Sequence, residues 1–171
     1  MDLEALLAAH FSVKRVTAPW AFRRCCPQGT DRPMAPMALA AAFSGRVLMP
    51  ARGASRVERL DALAEGLTRA RRHARDPHAS ADALCRHSEL ATHLSLEAAL
   101  ATLELRLIFG LDAPDPARLL HDLHHRHPRE SHRVFCTDML SIGLTRLAAG
   151  ERVTALGRAV SSWLSEAPGP V

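Results

Sequence analysis

Apolar residues along this 171-residue chain recur mainly every three or four positions, which is the spacing of amphipathic helices. The clearest example runs from Ser55 to Arg75. Ser55 and Glu58 form a capping-box pattern at its start, and its last turns are rich in arginine, which suits the negative end of a helix dipole. We therefore predict a long helix over this range.

The same pattern predicts two helices on either side of residue 95. Ser80 and Ser95 have side chains that favour N-caps, which indicates helices over about 81–92 and 96–109. Gly110 then provides a C-terminal stop. The second of these helices carries a stripe of leucines that we expect to face the core: Leu96, Leu100, Leu103 and Leu107.

Three more helices are predicted towards the C-terminus. Asp115 has the side chain of an N-cap and Pro116 suits a first helical turn, so a short helix is expected to finish near His127. The next helix, over 131–149, is so rich in apolar residues that we place it at the centre of the fold. The last runs over 151–165.

The N-terminal third has a weaker pattern. Leucines at helical spacing predict a first helix over 2–10, and Pro36 suits the start of a short one. Between them, residues 12–32 contain proline and glycine and show no periodicity, which indicates an irregular arm.

Composition supports a helical fold, because apolar residues make up 47% of the chain while aromatic residues make up only 4%. The length suits one core. We therefore expect an all-α, single-domain bundle of seven or eight short helices over 1–166. Within it, residues 12–54 are expected to be partly irregular, and 167–171 to form a frayed tail.

Charge and cysteine usage narrow the functional classes. The formal net charge is +4, which favours acidic partners. No apolar run is long enough to cross a bilayer, and the acidic N-terminus is unlike a secretory signal, so we expect a cytoplasmic protein without a membrane partner. The four cysteines lack paired spacing, which favours reduced thiols.

Histidine and arginine are most concentrated between Asp115 and Arg133, where five of the ten histidines occur with four arginines. Two helices joined by a short turn over 110–114 have the outline of a helix-turn-helix. In this interpretation the second helix enters the major groove of double-stranded DNA, with its leucines inward. The residues expected to contact nucleic acid are Arg118, His121, His125, Arg126, Arg129 and Arg133.

A family resemblance covers residues 100–123. The segment resembles the helix-turn-helix of FlhC-type transcription activators, in which a helix with the pattern LxTLxxRL precedes one containing RL. The matching residues are Leu100, Thr102, Leu103, Arg106, Leu107, Arg118 and Leu119. The chain lacks the proline and tryptophan expected after the second helix and the family's C-terminal cluster of four cysteines. The resemblance therefore implies DNA binding, but neither the zinc site nor the partner subunit.

Two other classes of function remain open. A helical adaptor or chaperone would bind a protein partner through apolar side chains in the irregular region, at Trp20, Phe22, Met34 and Met37. A metal-binding protein would use thiolates and imidazoles, and the best set is Cys85, His93, His132 and Cys136.

We place DNA-binding regulation first, the adaptor second and the metalloprotein third. Neither a bound cofactor nor an enzymatic activity is expected, because no carboxylate pair or nucleophile with a partnering base stands out. A homodimer is compatible with the sequence.

Overall fold

A computed structural model describes Leu3, residues 53–75 and residues 89–166 of the chain. These residues form five α-helices and no β-strand, which confirms the all-α class for this part. The helices are α1 (Arg56–Arg75), α2 (Glu89–Ile108), α3 (Pro116–Arg126), α4 (Glu130–Ala148) and α5 (Ala155–Glu166). Leu3 is helical and buried. The predicted helix over 81–92 is described only from residue 89, where it continues into α2 instead of ending near Thr92. Apart from Leu3, the other predicted helices, the irregular arm over 12–32 and the tail lie outside the described residues.

Local capping chemistry sets several helix ends where the sequence predicts them. At the start of α1, the Glu58 carboxylate accepts the Ser55 N–H at 2.7 Å, and the Ser55 hydroxyl accepts the Glu58 N–H at 3.2 Å. Asp115 accepts the Ala117 N–H at 3.0 Å in front of α3. Gly110 follows α2 with φ +65°, a left-handed conformation that glycine adopts readily.

The helix predicted to begin after Ser95 begins earlier, and the N-cap at Ser95 is wrong. Ser95 lies within the 20-residue helix α2 and is buried. Its hydroxyl lies 2.9 Å from Nε2 of His127, which is also buried. A tertiary hydrogen bond therefore satisfies the hydroxyl that was expected to cap a helix, and the helix continues through it.

The last helix also begins later than predicted. Thr154 is the residue before α5, and its hydroxyl accepts the Gly157 N–H at 2.9 Å. This is N-capping geometry, so α5 begins at Ala155 instead of Glu151.

Helix α2 is the centre of the described fold, since it contacts all four other helices. Ala101 and Leu105 of α2 belong to one buried cluster, completed by Leu3, α1 and α5. Leu96 and Leu103 belong to a second, completed by α3 and α4. Leu96 and Leu103 are buried as predicted, whereas Leu107, which was predicted to lie on the same stripe, is 50% exposed.

The prediction that the helix over 131–149 would be central is wrong. Helix α4 buries one side of itself in the second cluster, through Cys136, Leu140 and other residues. Its opposite side faces solvent, where Val134 is 53% and Ile142 51% exposed. Its apolar residues are spread around the helix, so their number did not indicate how many faces are covered.

Glu104 attaches the start of α5 to α2. It is fully buried on α2, and its carboxylate accepts the N–H groups of Val153 and Thr154 at 2.7 and 3.0 Å, together with the Thr154 hydroxyl. A buried carboxylate is stable only when its oxygens are hydrogen-bonded. Here the donors lie at the start of α5, where the helix dipole also favours negative charge.

Within the described residues, no helix combines the length and apolar character that crossing a bilayer requires.

Candidate nucleic-acid interface

Helix α3 lies on the surface with one apolar side against the rest of the protein. Leu123 is buried in the second cluster, and Leu119 and Leu120 are half-buried beside it, as predicted. The side chains of Arg118, His121 and His125 are exposed. Positions three and four apart lie on the same side of a helix, so these three share one face, which we call the α3 outer face.

The connection before α3 is fixed by Arg106 near the end of α2. Its guanidinium binds the Asp61 carboxylate of α1 through two nitrogens, with Nε at 2.9 Å from Oδ1, and donates a third bond to the Asp112 carbonyl at 2.9 Å. A bidentate guanidinium–carboxylate pair fixes orientation as well as charge, and this hydrogen bonding raises the pKa of Arg106. Arg106, one of the residues matched in the family resemblance, therefore links α2 to α1 and to the connection before α3.

The connections on either side of α3 differ in length. Seven residues, 109–115, separate α2 from α3, whereas three, 127–129, separate α3 from α4. A helix-turn-helix typically has a turn of three to four residues. The connection between α2 and α3 is therefore longer than the predicted turn over 110–114, and the exposed face of α3 supports nucleic-acid binding better than the turn does.

The three other predicted contacts flank the α3 outer face and are also exposed. Arg126, on the last turn of α3, lies 3.7 Å from the Glu65 carboxylate of α1. Arg129 precedes α4, and Arg133 lies in its first turn. No carboxylate within the described part of the chain forms an ion pair with Arg118, Arg129 or Arg133.

Asp122, which sequence reasoning did not single out, is an exposed residue on the same side of α3. It lies four residues after Arg118 and one after His121, so it places a negative charge within the basic surface. The charge of the α3 outer face is therefore mixed. The pattern of the helix would have revealed this, because residues 118, 121, 122 and 125 are all on one side.

The other histidines of this region point away from the outer face. His127 is buried against Ser95. His124 is half-buried, and its Nε2 lies 3.1 Å from both the Arg133 carbonyl oxygen and Thr137 Oγ1. His132 is buried on α4, and its Nδ1 has no hydrogen-bond partner among the described residues.

The candidate metal ligands do not form a site within the described residues, where no three His, Cys, Asp or Glu side chains are grouped closely enough to hold an ion. His93 is exposed, and its ring lies 4.4 Å from the Phe135 ring. Cys136 is fully buried, and burial raises the pKa of its thiol, which disfavours the thiolate that binds metals. The fourth candidate, Cys85, lies outside the described residues.

The predicted adaptor surface, at Trp20, Phe22, Met34 and Met37, also lies outside the described residues. An apolar surface that sequence reasoning missed lies instead on α4, at Val134, Met139 and Ile142, all of which are exposed. Met139 also borders a groove of about 620 Å³ between α2, α4 and the start of α5. The sequence placed these side chains in the core because α4 contains many apolar residues, spread around the helix.

No protein-family model, curated protein or solved structure matches this chain. The resemblance of residues 100–123 to FlhC-type transcription activators therefore stays a prediction.

Proposed function

We propose that the chain is a DNA-binding regulator that contacts the phosphate backbone through α3 and the turn after it. The observation that carries this proposal is the exposure of all six predicted contact residues: Arg118, His121, His125, Arg126, Arg129 and Arg133. A surface of this type suits phosphate oxygens, because guanidinium and imidazolium groups donate charge-assisted hydrogen bonds.

The arginines supply the permanent charge of this surface. Arg118, Arg129 and Arg133 have no ion-pairing carboxylate among the described residues, so their guanidinium groups are open to an external anion. Arg126 is a weaker candidate, since Glu65 already lies within ion-pairing distance. The shallow packing of α3 also helps, because Leu123 is its one fully buried residue and the outer face of the helix is accessible to a large ligand.

The test is equilibrium binding of a fluorescein-labelled mixed-sequence DNA duplex, measured between about 50 and about 200 mM salt. Each phosphate contact that is lost should reduce the slope of log affinity against log salt by about 0.9. A double variant, R118Q/R129Q, removes two contacts, so we expect a slope smaller by about 1.8 and weaker binding throughout.

Arg158 provides the matched control. It is an exposed arginine of α5 beside the α2–α4–α5 groove, and α5 packs on α1 and α2. The variant R158Q removes one positive charge elsewhere, as R118Q alone does on α3, so its slope should equal that of the wild type, whereas R118Q should lower the slope by about 0.9. Equal slopes for R118Q/R129Q and the wild type would exclude α3 as the contact, and a folded wild type that does not bind at low salt would exclude the function.

A second candidate function, a protein-interaction module, is favoured by the apolar side chains exposed on α4. Val134 and Ile142 lie eight residues apart on the outer half of this helix, and both are more than half exposed. Thr137 and Thr145, on the same helix, donate their hydroxyls to the backbone carbonyls of Arg133 and Ser141 at 2.9 and 3.0 Å. These hydroxyls would stay bonded when covered, whereas the exposed Asp138 carboxylate, four residues from both Val134 and Ile142, would need a hydrogen-bond donor from the partner. Unlike phosphate binding, such a contact should not weaken steeply with salt.

A further inference from the structure

The fold separates the five histidines between residues 121 and 132 into two groups. His121 and His125 are exposed on the α3 outer face. The other three are held inside or against the protein: His124 beside Thr137, His127 against Ser95 and His132 in the core side of α4. Only the first two are placed to meet a ligand on α3.

The fixed charges of the α3 outer face cancel. Arg118 contributes one positive charge and Asp122 one negative charge, and the two remaining residues of this face are His121 and His125. With neutral imidazoles the face has no net charge. With both imidazoles protonated the face carries two positive charges. Its attraction for phosphate therefore depends on how many of the two imidazoles are protonated.

We propose that the α3 outer face binds nucleic-acid phosphate in a proton-dependent manner, with His121 and His125 as the switching groups. This inference rests on the proposed function, because it specifies how the same surface is regulated. Histidine is the side chain whose charge changes between about pH 5 and 8. Binding should therefore strengthen, and involve more phosphate contacts, as the pH falls through this range.

The surrounding charged groups do not provide the same switch. Asp115 caps α3, and Asp112 lies in the connection before it. From α1, Glu65 approaches Arg126. From α4, three charged residues line the hollow beside His124: Glu130, Arg133 and Asp138. Carboxylates and guanidinium groups keep their charge across the pH range in which imidazoles titrate, so these groups set a constant background.

The experiment repeats the duplex titration at about pH 6 and about pH 8, since imidazole charge differs between them. A chelator is present in both buffers, because two histidines four residues apart can also bind a metal contaminant. For the wild type we expect a salt slope steeper at the lower pH by up to about 1.8, which corresponds to two added phosphate contacts.

Two variants assign the effect to particular residues. H121Q/H125Q replaces both imidazoles with neutral amides, so its slope should be the same at both pH values. H93Q changes an exposed histidine of α2 whose ring packs at a tilt against that of Phe135, away from α3, and should keep the wild-type response. Circular dichroism of each variant establishes that the helices are retained.

The outcomes separate this inference from the function on which it rests. Binding with one salt slope at both pH values overturns the switch but leaves the proposed function standing. A pH response that persists in H121Q/H125Q overturns the assignment to these two residues. If the folded wild type fails to bind the duplex at either pH, both proposals are overturned.

Discussion

At the scale of single residues, Gly157 lies so close to the Glu104 side chain that there is no room for a Cβ atom. A Cβ atom added to Gly157 would lie 2.0 Å from the Glu104 carboxyl carbon, which no real contact allows. The carboxylate cannot move aside freely, because it accepts hydrogen bonds from Val153 and Thr154. Glycine is therefore required at 157 by the neighbouring charge, and not by its own backbone conformation.

The substitution Gly157→Ala should destabilise the protein by about 1 to 3 kcal/mol, the range expected when an atom is forced into a packed interior. Displacing Glu104 would also leave a buried charge with poorer hydrogen bonding. Urea unfolding followed by circular dichroism measures this loss. Ser162→Ala, an exposed change on α5, is the control and should shift stability by no more than about 0.5 kcal/mol. Equal stability of the two variants would contradict the packing argument.

The sequence revealed capping residues better than it revealed Glu104. Ser55, Asp115 and Gly110 act on backbone groups within a few residues, so a local pattern is enough to identify them. The partners of Glu104 lie about fifty residues away in the chain. The one local signal was a carboxylate between leucines, at Leu103 and Leu105, where a helix is covered on both sides.

At the scale of helices, the N-terminus of α1 depends on the charge of one side chain. The backbone N–H and then the hydroxyl of Ser55 hold the pKa of the Glu58 carboxyl below its ordinary value of 4.5. A lowered pKa means that the ionised form is favoured in the folded state. This contribution to stability is therefore present above the unfolded pKa and disappears as the pH falls through the folded one.

The variant Glu58→Gln tests this linkage, because glutamine has the shape of glutamate without its charge. We expect the wild type to be more stable than E58Q at neutral pH, and the difference to vanish in acid, where Glu58 is protonated. Thermal unfolding of both proteins across this pH range provides the comparison. A difference that is the same at neutral and acidic pH would show that the charge is not involved.

Helix boundaries were predictable where capping was local and were not where burial decided them. Ser95 has an N-cap side chain, yet His127 binds its hydroxyl inside the fold and α2 runs through it. For α4, the count of apolar residues suggested a central helix, although Val134 and Ile142 face solvent. Both errors arose because the apolar and polar residues of one helix do not show which other helices will pack against it. On α3, Leu119, Leu120 and Leu123 pack inward as expected, because apolar residues define a single inner side of this helix.

At the scale of the molecule, Arg106 connects three parts of the fold. It joins α2 to Asp61 of α1 and to the backbone of the connection that leads into α3. Arg106→Ala should therefore lower stability by about 2 kcal/mol, since hydrogen bonds to a charged group are lost and Asp61 is left without its partner.

The same variant should speed amide hydrogen exchange in residues 109–115 more than in α4, because the connection loses its attachment. Arg106→Lys is the informative control, since lysine keeps the charge but cannot form the bidentate pair. An intermediate stability for R106K is the expected result. If amide exchange in residues 109–115 is unchanged in R106A, Arg106 does not hold the connection in place.

The shallow attachment of α3 has a consequence for how this protein can change over time. A helix that buries only Leu123 can accept new residues on its outer side without disturbing the core. Surface substitutions of that kind usually alter stability very little. Mutations on the outer side of α3 could therefore accumulate while the rest of the chain keeps folding in the same way, so this face is free to diverge faster than the scaffold that carries it.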